Sequence, residues 1–311
     1  MENLTHLPEL PSVGLVRKMG PSARREMRNG LLFIAPWLIG FFVFTLLPIL
    51  ATLLFSFMSL HVTDAIWPPK FVGLDNYVSL LKNGDFLTSL RITFTFLILA
   101  IAAEFTLGMG LAVLLNHDLK AKGLIRSAIL LPMMCTNVVI GLTWRLLFNY
   151  EFGIINYYLT QVGFKPVEWL SNPTVAMGSV IIVDVWNTTS FVALMLLAGL
   201  QSLPEEPFEA AKIDGASGWQ TFRFLTLPLL RQTILVALLW RLIDTFRIFD
   251  VIYLLTAGGP ARATETVSIY VYRYGFQSFN LGYASASSYA MILIMLVIAG
   301  VLSRSIGRSA E

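Results

Sequence analysis

Seven ionisable side chains lie within long apolar runs of this sequence: Glu104, Arg145, Asp184, Arg241, Asp244, Arg247 and Asp250. A charge at the centre of a lipid-facing helix costs about 2.5–3.5 kcal/mol. Such groups are therefore expected to face protein or water. Arg145 and Asp250 fall near the ends of their runs, where the cost is smaller. Asp184, Asn187, Thr188 and Phe191 are spaced i, i+3, i+4 and i+7, so a helix would carry them on one face. Arg241, Asp244, Thr245 and Ile248 repeat the spacing. Each stripe joins hydrogen-bonding groups to an apolar or aromatic residue. That mixture suits a sugar, whose hydroxyls need partners and whose ring faces prefer apolar contact. The same charges can instead hold helices in register as interhelical ion pairs. Spacing leaves both readings open.

Other chemistry lacks its residues. Cys135 is the only cysteine, and His6, His61 and His117 are isolated, so neither a disulfide nor a metal cluster is expected. No lysine follows a glycine, which excludes the phosphate-binding loop G-x-x-x-x-G-K-[ST]. No Ser/His/Asp constellation is visible. The reading is a non-enzyme with no catalytic residue and no cofactor, one that moves its substrate rather than transforming it.

The elements that must position the stripes are membrane helices. Of 311 residues, 56% are hydrophobic and 13% charged, about half the charged share of a soluble domain. Six apolar runs are each long enough to cross the roughly 30 Å hydrocarbon core. They lie at about 31–58, 92–115, 127–148, 174–200, 233–256 and 284–303. The first contains Pro36 and Pro48 and is too long for a signal-peptide core. The chain therefore divides into an N-terminal segment 1–30, a membrane domain 31–303 and a tail 304–311. If the N-terminus is cytoplasmic, the inside segments hold thirteen Lys and Arg and the outside segments six, with three in spans. That asymmetry places both termini in the cytoplasm of a multi-pass inner-membrane protein. The net charge of +3 then marks topology rather than nucleic-acid binding. Two outside loops, 61–90 and 149–173, carry turn residues (Trp67-Pro68-Pro69, Asn83-Gly84-Asp85) and aromatics.

The inside loop 201–232 reads QSLPEEPFEAAKIDGASGWQTFRFLTLPLLRQ. Ser202 and Glu205 have the spacing of a capping box, with Pro204 at the first helical position. Asp214-Gly215 should end that short helix. Ser217 should cap a second, closed by Leu227-Pro228. Two angled helices would form a rigid knob, either a docking element or a simple connector.

These residues carry a resemblance. Glu209-Ala210-Ala211, Asp214-Gly215-Ala216, Phe222 and Leu227-Pro228 resemble the "EAA" loop of ABC importer permeases. Phe249-Asp250-Val251-Ile252-Tyr253-Leu254-Leu255-Thr256-Ala257-Gly258-Gly259-Pro260 is similar to a segment of the carbohydrate branch, the maltose- and trehalose-type permeases. So is Phe71-Val72-Gly73-Leu74-Asp75-Asn76-Tyr77. The resemblance implies an all-α type I importer permease fold with the coupling helix between helices 4 and 5. It implies that Glu209, Ala210, Ala211, Asp214, Gly215 and Ala216 meet an ATP-hydrolysing subunit. It also implies a second permease, an ATPase dimer and an extracytoplasmic binding protein that docks near Gly258, Gly259 and Pro260. The two polar stripes would line a sugar site. An ion-coupled secondary transporter, with Glu104, Asp184 and Asp244 as ion sites, is the alternative from the residues alone.

Overall fold

The structure, a computed structural model, describes residues 21–62, 69–117 and 122–307. Most of segment 1–30, Trp67-Pro68, Lys120 and the end of the tail lie outside the described residues. The chain divides into two units, one through Thr52 and one from Leu53.

The first unit contains α1 (Pro21–Phe41), a π-helical turn at Phe42–Leu46 and the start of α2 (Leu47–Ser56). The apolar run Leu32–Ser56 is 25 residues long, enough to span. Proline cannot donate to the preceding turn, and its ring crowds the carbonyl four residues back. Here the π turn widens the helix just before Pro48, and the Leu47 N–H bonds to the Phe42 carbonyl. Helix direction survives a proline that would otherwise break it.

The second unit opens with a two-stranded antiparallel pair, β1 (Met58–Ser59) and β2 (Lys70–Phe71). There follow α3 (Asp75–Lys82), α4 (Gly84–Asn116), α5 (Lys122–Met134), α6 (Asn137–Leu147), α7 (Ile154–Gln161) and α8 (Pro173–Gln201). Then come α9 (Glu206–Ile213), α10 (Gly218–Thr221), α11 (Leu227–Phe246), α12 (Asp250–Leu255), α13 (Val267–Tyr272) and α14 (Leu281–Gly307). Across the chain, five helices among the described residues are long and apolar enough to cross a membrane, and the bent pair α5–α6 makes a sixth.

Four boundaries differ from the sequence reading. The second span begins at Gly84, because Asn83 caps α4 by accepting from the Asp85 N–H at 2.9 Å. The third is broken by 95° between Met134 and Asn137. The fifth ends at Phe246 rather than Thr256, and 250–255 form the separate helix α12. The sixth extends over Leu281–Gly307. In the loop 201–232, Ser202 caps nothing that follows: its hydroxyl donates to the Gly199 carbonyl at 2.8 Å, closing α8. Pro207, not Pro204, stands in the first turn of α9. Leu227-Pro228 does not close the second helix either. A second π turn, Phe222–Thr226, again admits the proline, and the helix runs unbroken from Gly218 to Phe246.

Missing β-carbons set the closest packing. A Cβ on Gly108 of α4 would lie 2.8 Å from Val192 Cγ1 of α8. A Cβ on Gly141 of α6 would lie 2.7 Å from Leu254 Cβ of α12. Small residues at such points let membrane helices approach where hydrophobic driving force is weak. Phe96 and Ala100 of α4, Val180 and Val183 of α8, and Val251 and Ile252 of α12 form one buried cluster.

Candidate functional site

The polar stripes meet, but chiefly with each other. Arg241 of α11 is 1% exposed and reaches carboxylates on two other helices and on its own. Its Nε donates to Glu104 Oε2 at 2.7 Å and its Nη2 to Glu104 Oε1 at 2.7 Å, a bidentate pair. The same Nη2 donates to Asp184 Oδ2 of α8 at 3.2 Å. Nη1 donates to Asp244 Oδ2 at 2.9 Å. Thr188 Oγ1 lies 2.9 Å from Glu104 Oε1 and 2.6 Å from the Asp184 carbonyl. One guanidinium thus ties α4, α8 and α11 together.

The expected substrate face is divided by burial. Asp184, Arg241 and Thr245 are buried inside this chain, so none of them is open to a ligand in this conformation. Arg241 pairs with Glu104 across helices and shares its Nη2 with Asp184, while Thr245 is buried beside them. Asn187, Thr188, Phe191, Asp244 and Ile248 are half-buried. Asp244 also accepts from Arg247 Nη2 at 3.3 Å, and that arginine is 68% exposed. Phe191 packs against Trp240 with ring centroids 4.2 Å apart.

Two members were missed. Glu104 was read as an intramembrane charge but not joined to either stripe. The signal was available, since Glu104 has no cation within its own apolar run 92–115 and must find one on another helix. Trp240 precedes Arg241 and is exposed beside Phe191. Its place next to Arg241, at the edge of the polar stripe, was the available signal.

The chain can now be set beside known proteins. Residues 104–308 match the family described as the inner membrane component of binding-protein-dependent transport systems. The chain belongs to this family. The permease is 40% identical over 276 residues to a trehalose/maltose transport system permease protein of Thermococcus litoralis, covering 88% of this chain and 91% of that one. It is 35% identical over 291 residues to a trehalose transport system permease protein of Mycobacterium tuberculosis, covering 93% and 92%. Its fold matches a chain of a bacterial ABC transporter that imports alginate, with a TM-score of 0.78 at 24% identity, covering 92% of this chain and 98% of the other.

The permease's two-helix knob at 202–217 is built locally. α9 ends at Asp214, and Gly215 adopts φ +76°, the left-handed geometry of a helix C-cap. The Ala216 N–H then bonds to the Ala211 carbonyl at 2.9 Å, satisfying a terminal acceptor. Ser217 and Gln220 form a reciprocal capping box that starts the long helix. Glu209, Ala210, Asp214 and Gly215 are exposed, while Ala211 and Ala216 are half-buried. Ile213, Trp219 and Phe224 stand out as large exposed apolar side chains, Ile213 at 86%.

At the other end of α11–α12, Gly258 has φ +89°. The loop after it is tied down by Arg262, which pairs with Asp85 at 2.6 Å and with Glu265 at 2.6 Å. Those hydrogen bonds, first to Glu265 and then to Asp85, hold the Arg262 guanidinium above its already high range, so it stays charged. Arg273 adds a second cation to Glu265 at 2.9 Å.

Proposed function

We propose that this permease translocates a di- or oligosaccharide or related polyol in an ATP-driven importer. An extracytoplasmic binding protein delivers the sugar, and a second permease completes the path. A dimeric ATPase seats on the knob 202–217 and the first turns of the long helix. The observation that carries the ATP-driven reading is the knob itself, a two-helix corner fixed by Gly215 and the Ser217–Gln220 box. It presents Ile213, Trp219 and Phe224 to a partner rather than to its own core. Glu209 and Asp214 add charge at its rim. The substrates in the two relatives' names support the sugar class. An ion-coupled transporter would have no use for this corner.

For the substrate face, the half-buried Asn187, Thr188, Phe191, Asp244 and Ile248 remain the candidates, with Trp240 added. Asp184, Arg241 and Thr245 support it from behind. The turn at Gly258, Gly259 and Pro260 is the candidate contact for the binding protein: Gly258 is buried, Gly259 and Pro260 are half-buried, and the flanking Ala257 and Ala261 are exposed. Segments 1–30 and 304–311 lie in the cytoplasm in this reading.

The test is uptake by the complete complex. Ile213→Asp combined with Trp219→Asp should abolish ATP-dependent uptake of radiolabelled trehalose or maltose, and co-purification of the ATPase, with insertion intact. Asp244→Ala should lower uptake while the ATPase still co-purifies. Full uptake by the knob variant, or uptake abolished by an ionophore and indifferent to ATP, would sink the proposal.

A further inference from the structure

We infer that Asp184 is a buried proton-binding site, a neutral carboxylic acid at the centre of the helix bundle. The charged groups that meet there come from three packed helices: Glu104 from α4, Asp184 from α8, and Arg241 and Asp244 from α11. Asp244 is 34% exposed and has Arg247 as its own exposed counter-ion. What remains in the interior is one guanidinium, 1% exposed, against two carboxyl groups at 0% and 5%.

Two ionised carboxylates on one arginine would leave an uncompensated negative charge there. Even after relaxation, an unpaired buried ion costs several kcal/mol, and a group in that position takes up a proton instead. No partner subunit can relieve the imbalance by contact, because Asp184 is already buried within this chain. The geometry selects the site of the proton. Glu104 receives both short, parallel bonds from Arg241, the arrangement of an ionised carboxylate. Asp184 takes only a second share of Nη2 at 3.2 Å, behind Glu104 on the same nitrogen. The proton therefore resides on Asp184, and the cluster is electrically neutral. Nothing in this inference depends on the nature of the transported solute.

Infrared spectroscopy of the purified full-length permease in lipid nanodiscs tests it. A carboxylic-acid C=O band should be present at neutral pH. It should move on labelling with carbonyl-13C aspartate, stay fixed on labelling with 13C glutamate, and vanish in Asp184→Asn. The isotope arm uses the unaltered protein, so it stands even if the variant does not fold. Absence of the band at neutral pH, a band that follows the glutamate label, or one that survives Asp184→Asn would overturn the assignment.

Discussion

Arg241 distributes its donors among three carboxylates because a guanidinium offers five N–H groups in a fixed fork. The net worth of such a buried network is small, since each ion was taken out of water to make it. Removing one member is another matter. Arg241→Leu strands the ionised Glu104 without a cation and should cost about 3–5 kcal/mol. Thermal unfolding in detergent would read this as a lowered midpoint. Adding Glu104→Leu to the same chain should restore most of the loss. An unchanged midpoint for Arg241→Leu would mean the ion pairs are not formed in the membrane. At this scale the sequence was half legible. A helical wheel groups residues on one helix, and it grouped Asp184 with Thr188 and Arg241 with Asp244. It says nothing of which helix faces which, so Glu104 stayed outside both stripes, and spacing could not choose between a ligand face and interhelical pairing for Arg241.

Helix existence was legible from apolar run length, and helix ends were not. The run Ile248–Thr256 contains no breaker, so sequence alone carries the fifth span to Thr256. The break after Phe246 is set by packing, because α12 turns to lie against α6, with Leu254 over Gly141. Gly141→Leu should therefore displace α12. Overpacking of this kind costs about 1–3 kcal/mol. Faster proteolysis or hydrogen exchange in 248–256, with α4 and α8 unaffected, is the expected signature, and protection equal to wild type would refute it. Leu227-Pro228 misled in the opposite direction. Proline normally ends a helix, but the π turn before it lets the backbone bypass the clash. Gly215 and Ser217 were read correctly because their signals are purely local, a left-handed φ and a side chain capping its own helix.

Across the whole molecule, the cation bias is the sequence's statement about orientation. In a Cys135→Ser background, a cysteine at Ser217 should react with a membrane-impermeant maleimide only after the cells are opened. A cysteine at Val162, exposed at the end of α7, should react in intact cells with the outer face accessible. The reverse pattern would invert the topology. Within that frame the uninterrupted helix from Gly218 to Phe246 has a mechanical meaning. It is about 43 Å long at 1.5 Å per residue. Its foot is the corner at Ser217, and its upper turns bear Arg241. A pushrod of that kind has no joint in which motion can be absorbed, apart from one widened turn close to the foot. A displacement at the foot would therefore be carried along one rigid element to the three helices that the guanidinium binds together.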